Sequence, residues 1–215
     1  VASIFPKWTN KIPLAIAAGT PVVLIGIIGA VWYYFSPSFT DVGYQPNQPV
    51  PFSHQLHAGQ LGMDCRYCHN TVEKAAHAAV PPTETCMGCH SQVRKTSPLL
   101  AVVRESYATD RSIPWSKVHM LPEHAHFDHS VHVSGGVGCV ECHGRVDQMV
   151  KVYQTQPLSM SWCLDCHRNP SPRLRPKTEV TNMSYDARAA GYDPSTDPHR
   201  NRMVAPPEHC GACHY

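Results

Sequence analysis

The ten cysteines of this chain fall without remainder into five copies of one pattern, Cys-x-x-Cys-His. The copies are Cys65, Cys68 and His69; Cys86, Cys89 and His90; Cys139, Cys142 and His143; Cys163, Cys166 and His167; and Cys210, Cys213 and His214. Positions i, i+3 and i+4 share one face of a helical turn. Each copy therefore presents two thiols and an imidazole side by side, and any fold of this chain must be arranged around five such turns.

Three chemistries use paired cysteines at this spacing. Zinc knuckles and redox dithiols need the Cys-x-x-Cys alone. Attachment of haem c also needs the histidine, because the thiols add to the two vinyl groups while the adjacent imidazole takes the iron from the same side. With 15 histidines among 215 residues, a histidine after all five pairs by chance has odds of roughly two in a million. The pattern thus implies five covalently bound haem c groups with His69, His90, His143, His167 and His214 as proximal ligands. The 20 prolines and 13 glycines suit loops wrapped around something other than side chains. A formal charge of only +2 gives no basic field for nucleic acid. Each ferric haem with its propionates would add about one negative charge.

Residues 1–36 read as a membrane anchor. Lys7 and Lys11 precede an uncharged run from Ile12 to Phe35 that ends in Val31-Trp32-Tyr33-Tyr34-Phe35. Roughly 20 apolar residues span a bilayer core as a helix, and aromatic residues suit its interface. Lysines before the run place the N-terminus inside and the rest outside, as in a single-pass protein of a bacterial cytoplasmic membrane with its haem domain on the periplasmic side. The competing reading is a cleaved signal peptide, whose apolar stretch is normally shorter and ends at small residues.

Ten histidines remain outside the motifs: His54, His57, His77, His119, His124, His126, His129, His132, His199 and His209. Four lie in a repeat. Phe52-Ser53-His54-Gln55-Leu56-His57 and Phe127-Asp128-His129-Ser130-Val131-His132 each precede two attachment motifs, so residues 52–90 and 127–167 read as two copies of a two-haem module. Each module brings two irons and two spare histidines. The Phe-x-His-x-x-His element resembles that of the class III multihaem cytochromes. The resemblance implies that His54 ligates the Cys65/Cys68 haem and His129 the Cys139/Cys142 haem, while His57 and His132 cross to neighbouring haems. For the remaining iron the first choice is His119, stiffened by Pro122; Met149 and Met160 are alternative ligands. His77, His124, His126, His199 and His209 read as surface or propionate-binding histidines.

Beyond the anchor no helical or strand period is sustained. The expected fold is a multihaem cytochrome c, mostly irregular, with short helices around five haems and one N-terminal transmembrane helix. A linker at 37–51, a connecting segment at 91–126 and a C-terminal arm with the fifth haem at 168–215 complete the organisation. The polar stretch 168–209 is either a disordered surface strap or a clamp on a partner. Globular scaling gives the roughly 170 residues outside the membrane a radius of gyration of about 16 Å, so five haems must lie close together.

The whole pattern resembles the pentahaem cytochrome subunit of alternative complex III, a bacterial quinol-oxidising complex. The resemblance rests on the anchor, on Gly43-Tyr44-Gln45-Pro46 through Pro51-Phe52-Ser53-His54, on Cys86-Met87-Gly88-Cys89-His90, and on Leu158-Ser159-Met160-Ser161-Trp162-Cys163. It implies an electron-transfer subunit that relays electrons to a periplasmic acceptor or downstream cytochrome and does not itself oxidise quinol. The implied partners are an iron–sulfur subunit, polytopic quinol-binding membrane subunits and a monohaem cytochrome c. Two other classes stay open. One is a self-sufficient membrane quinol dehydrogenase of the NapC/NrfH kind, against which stands the absence of any Cys-x-x-Cys-His-x-Met. The other is a multihaem reductase with an open iron position, against which stands the surplus of histidines.

Overall fold

With no charge between Ile12 and Phe35, nothing in that stretch prefers water to a helix that satisfies its own backbone. The computed structural model, which describes residues 4–197 and 205–214, has a 23-residue helix α1 at Ile12–Tyr34. A helix of that length spans about 34 Å, enough for a hydrocarbon core. A 3-10 turn at Lys7–Lys11 leads into it, and Pro21 is accommodated in its interior. A short helix α2, Pro37–Thr40, follows. There Phe39 packs on Tyr33 and Tyr34, with ring centroids 5.6 and 4.9 Å apart. Among the described residues α1 is the one helix long and apolar enough to cross a membrane. Residues 1–40 form one compact unit and residues 41–215 another.

In the second unit the helices are short, as the motifs require. They are α3 at Cys65–Cys68, α4 at Thr83–His90, α5 at Ala101–Thr109, α6 at His129–Ser134, α7 at Cys139–His143 and α8 at Met160–Arg168, with a 3-10 turn at Cys210–Ala212. Local capping sets several starts. The Asp64 carboxylate accepts from Arg66 N–H ahead of α3, Asp128 from Ser130 N–H ahead of α6, and the Ser159 hydroxyl from Trp162 N–H ahead of α8. Each cap satisfies a backbone donor that a helix start otherwise leaves open. No strand forms among the described residues; pairing is limited to isolated bridges between Ala125 and His214 and between Val137 and Leu174.

Hydrophobic burial is thin. Val50, Val103, Met149, Leu174 and Val180 are the buried apolar side chains among the described residues, joined by Ser106, Gln154 and Arg175. Long-range hydrogen bonds take up part of the work. The segment read as a linker is tied down: Gly43 N–H donates to Gln154 O at 2.7 Å, and Gln154 N–H returns a bond to Tyr44 O at 3.0 Å. Gln45 and Gln48 reach Lys151 O and Ser116 O. The first part of the C-terminal arm is likewise packed, since Leu174, Arg175 and Val180 are all buried. It is a strap against the body of the unit.

Gly59 shows how close the backbones come. It lies in the π-helical turn Gln55–Gln60, and a Cβ there would collide with the carbonyl oxygen of Asp147. Backbone cannot move aside cheaply. Gly59→Ala is expected to destabilise the folded chain by about 1–3 kcal/mol, read as a lowered denaturant midpoint; an unchanged midpoint would mean the two segments are not in register as described.

Candidate haem sites

Each attachment turn holds its thiols as free cysteines, and the imidazoles carry a shared signature. Nδ1 of His57, His69, His90, His129, His132, His167 and His214 lies 2.7–3.1 Å from a backbone carbonyl oxygen. Donation from Nδ1–H to a carbonyl fixes the neutral tautomer with its lone pair on Nε2, the arrangement that metal-ligating histidines use. His143 departs from the pattern, because its Nδ1 lies 3.3 Å from Nε2 of His119.

The repeat is visible as geometry. In the first copy Phe52 meets His54 edge-on at 4.9 Å and stacks on His57 at 4.4 Å. In the second, Phe127 meets His129 edge-on at 4.7 Å and stacks on His132 at 4.5 Å. One aromatic ring thus sets both imidazoles of its copy. His57 and His132 also make the same bond, from Nδ1 to the carbonyl four residues earlier. The copies differ at their first histidine. Nδ1 of His129 reaches Ala76 O in the first module, whereas the buried Nδ1 of His54 has no partner.

Distances between rings test whether these residues fit haem. Two imidazoles bound on opposite sides of one ion by bonds of about 2 Å place their ring centroids roughly 6 Å apart. His57 and His90 are 6.2 Å apart, His132 and His167 6.2 Å, and His129 and His143 6.4 Å with rings nearly parallel. His124 stacks on His214 at 5.6 Å. His119 is closer to His143, at 4.4 Å and nearly perpendicular, which suits the hydrogen bond and leaves no room for an ion between the rings. His54 has His69 as the nearest cause, after burial, of its lowered pKa. No group of three or more His, Cys, Asp or Glu gathers as a bare metal site among the described residues. A macrocycle that brings its own four nitrogens and asks the protein for two axial ligands fits this donor set.

Burial also keeps these rings in the ligating form. It pushes His54 and His119 down to about 4 and His143 down to about 3, with neighbouring histidines adding to the effect. His132 is lowered too, chiefly by burial. All four are neutral imidazoles at neutral pH, and only the neutral ring offers a lone pair to iron.

Of the other residues singled out in the sequence, Met149 is buried and Met160 is 59% exposed at the start of α8. His77 and His126 are held near the sites by their backbones: Thr71 Oγ1 donates to His77 O, and His126 N–H donates to Cys213 O. His209 is exposed and precedes the Cys210 turn. His199 lies outside the described residues. His124, read from the sequence as a surface or propionate-binding histidine, stands against the fifth attachment histidine. Its pairing with His214 spans 90 positions, and no Phe-x-His-x-x-His precedes the fifth motif to flag it.

A helical fold built on dithiol turns and aimed imidazoles defines a multihaem c-type cytochrome, a protein of electron transfer. The chain belongs to the family of cytochrome c7 and related cytochrome c, whose model matches residues 50–109 and 125–215. It is similar to the multiheme cytochrome c subunit of menaquinone reductase from Nitratidesulfovibrio vulgaris (strain Hildenborough), with 30% identity over 129 residues. That match covers 58% of this chain and 59% of the relative, so the chain spans less than two thirds of the relative's length.

If each of the five motifs holds a haem and His124 is a ligand to one, His124→Ala is expected to convert about one fifth of the low-spin ferric signal to high-spin while all covalent haem remains. His77→Ala is expected to leave the spectrum unchanged. An unaltered low-spin spectrum in the His124 variant would remove it from the ligand set.

Proposed function

We propose that this chain carries five haem c groups with bis-histidine ligation and serves as the electron-transfer subunit of a membrane complex of the alternative complex III type. The axial pairs are His69 with His54, His90 with His57, His143 with His129, His167 with His132, and His214 with His124. His119 acts as the hydrogen-bond partner of His143 and is not a ligand. The observation that carries this reading is the set of ring pairs near 6 Å, each joining an attachment histidine to a histidine from a distant or preceding segment. Bound haem supplies a reversible one-electron couple. The chain's own residues aim the ligands, and bis-histidine ligation would leave no open position for substrate on any iron, so the subunit would relay electrons by transfer without bond formation at iron.

Helix α1 supports membrane attachment, with the haem domain outside the cytoplasm. It offers no Asp, Glu, His, Lys or Arg between Ile12 and Phe35, so it brings no carboxylate or imidazole to take a quinol proton at membrane depth. Quinone chemistry then belongs to polytopic partner subunits, with an iron–sulfur subunit and a monohaem cytochrome c completing the assembly. The likeness to a subunit of menaquinone reductase favours a second reading, in which the same relay runs toward the quinone pool. A self-sufficient quinol dehydrogenase is the remaining alternative.

The isolated chain, reduced with dithionite, is expected to pass electrons to a small cytochrome or copper protein and to show no menaquinol turnover above the uncatalysed rate. The assembled complex is expected to exchange electrons with the quinone pool, and the sign of that flux in membranes separates the first two readings. Inhibitor-sensitive menaquinol oxidation by the single chain would favour the self-sufficient dehydrogenase.

A further inference from the structure

Numbering the attachment sites one to five along the chain, we infer that they are ordered in space as two, one, three, four, five, with sites two and five as the ends where electrons are exchanged with other proteins. This rests on the five-haem reading. Sequence order would place site two between one and three, and the two modules would join through it.

Each neighbouring pair is fixed by its own bonds. Sites two and one share the first Phe-x-His-x-x-His element: His57, three residues after His54, stands 6.2 Å from His90. Sites one and three are bridged by the strap. Thr181 Oγ1 donates to Asp64 at the start of α3 at 2.8 Å, and Cys139 N–H at the start of α7 donates to Val180 O at 3.0 Å.

Sites three and four are joined by two arginines of the strap. Arg175, 3% exposed, donates to Glu141 inside motif three at 2.6 Å, and Arg173 donates to Asp165 inside motif four at 2.7 Å. A Cβ on Gly138 would strike the Arg175 guanidinium, so the glycine before motif three lets that clamp close. Sites four and five meet where His167 Nδ1 lies 2.7 Å from Pro207 O and Arg168 pairs with Glu208 at 3.3 Å. Glu208 is two residues before Cys210.

The ends differ from the middle. Cys89 and Cys210 are the two exposed attachment cysteines; the other eight are partly buried. At site two the far side of α4 is closed by α5, through Thr83 and Ser106 hydroxyls 2.7 Å apart, and not by another attachment motif. Site five lies against the segment 124–126 through the bridge of Ala125 with His214.

An iron anomalous difference map of the full chain in detergent, with each iron assigned by its cysteine pair, tests the order. The expected result is nearest neighbours two–one, one–three, three–four and four–five, with irons two and five the most distant pair. Five irons with site two between one and three, or site five beside one or two, would overturn the order and leave the five-haem reading standing. Fewer than five irons would overturn that reading and the inference with it.

Discussion

The hydrogen bond from an imidazole Nδ1 to a backbone carbonyl is the interaction on which the rest of this molecule depends. It fixes the tautomer, turns the ring, and leaves Nε2 free to take iron. Because the carbonyls come from local turns in some cases and from remote segments in others, the same bond both aims ligands and ties the chain. His57 and His132 use a carbonyl four residues back. His129 uses Ala76 and His167 uses Pro207, which draws the second module onto the first and the C-terminal arm onto motif four.

A chain with so little buried apolar side chain needs apolar surface from elsewhere, and covalent haem supplies it when bound. The polypeptide's own contribution is a set of straps. Residues 43–48 pair with the region of Lys151–Gln154 and with Ser116, and residues 173–181 cross motifs one, three and four. Arg175 is the tightest point, buried and paired with Glu141. Removing one member of such a buried pair strands the other charge, which makes this clamp more consequential than the exposed pair of Arg168 with Glu208.

Much of this was legible in the sequence because it is local. The attachment turns follow from residue spacing, the two matched Phe–His–His clusters from the repeated Phe-x-His-x-x-His, and α1 from the uncharged run at Ile12–Phe35. The stacking of one phenylalanine on both histidines explains why the repeat keeps that residue at that offset. What the sequence does not carry is long-range pairing without a period. The 37–51 segment reads as a linker because nothing nearby says it will meet Gln154. The arm reads as loose because Leu174, Arg175 and Val180 are isolated in a polar stretch. The sequence favours His119 over His124 because Pro122 stiffens its approach, and only the fold puts the first against His143 and the second against His214.

The central claim is that every Cys-x-x-Cys-His turn holds a covalent haem and that the fold is organised around them. Pyridine haemochrome analysis of a known quantity of purified chain, with haem staining of the denatured polypeptide, tests it most directly. Five haems per chain, all retained on denaturation, is the predicted result. Two or fewer haems, or zinc in their place, would contradict it.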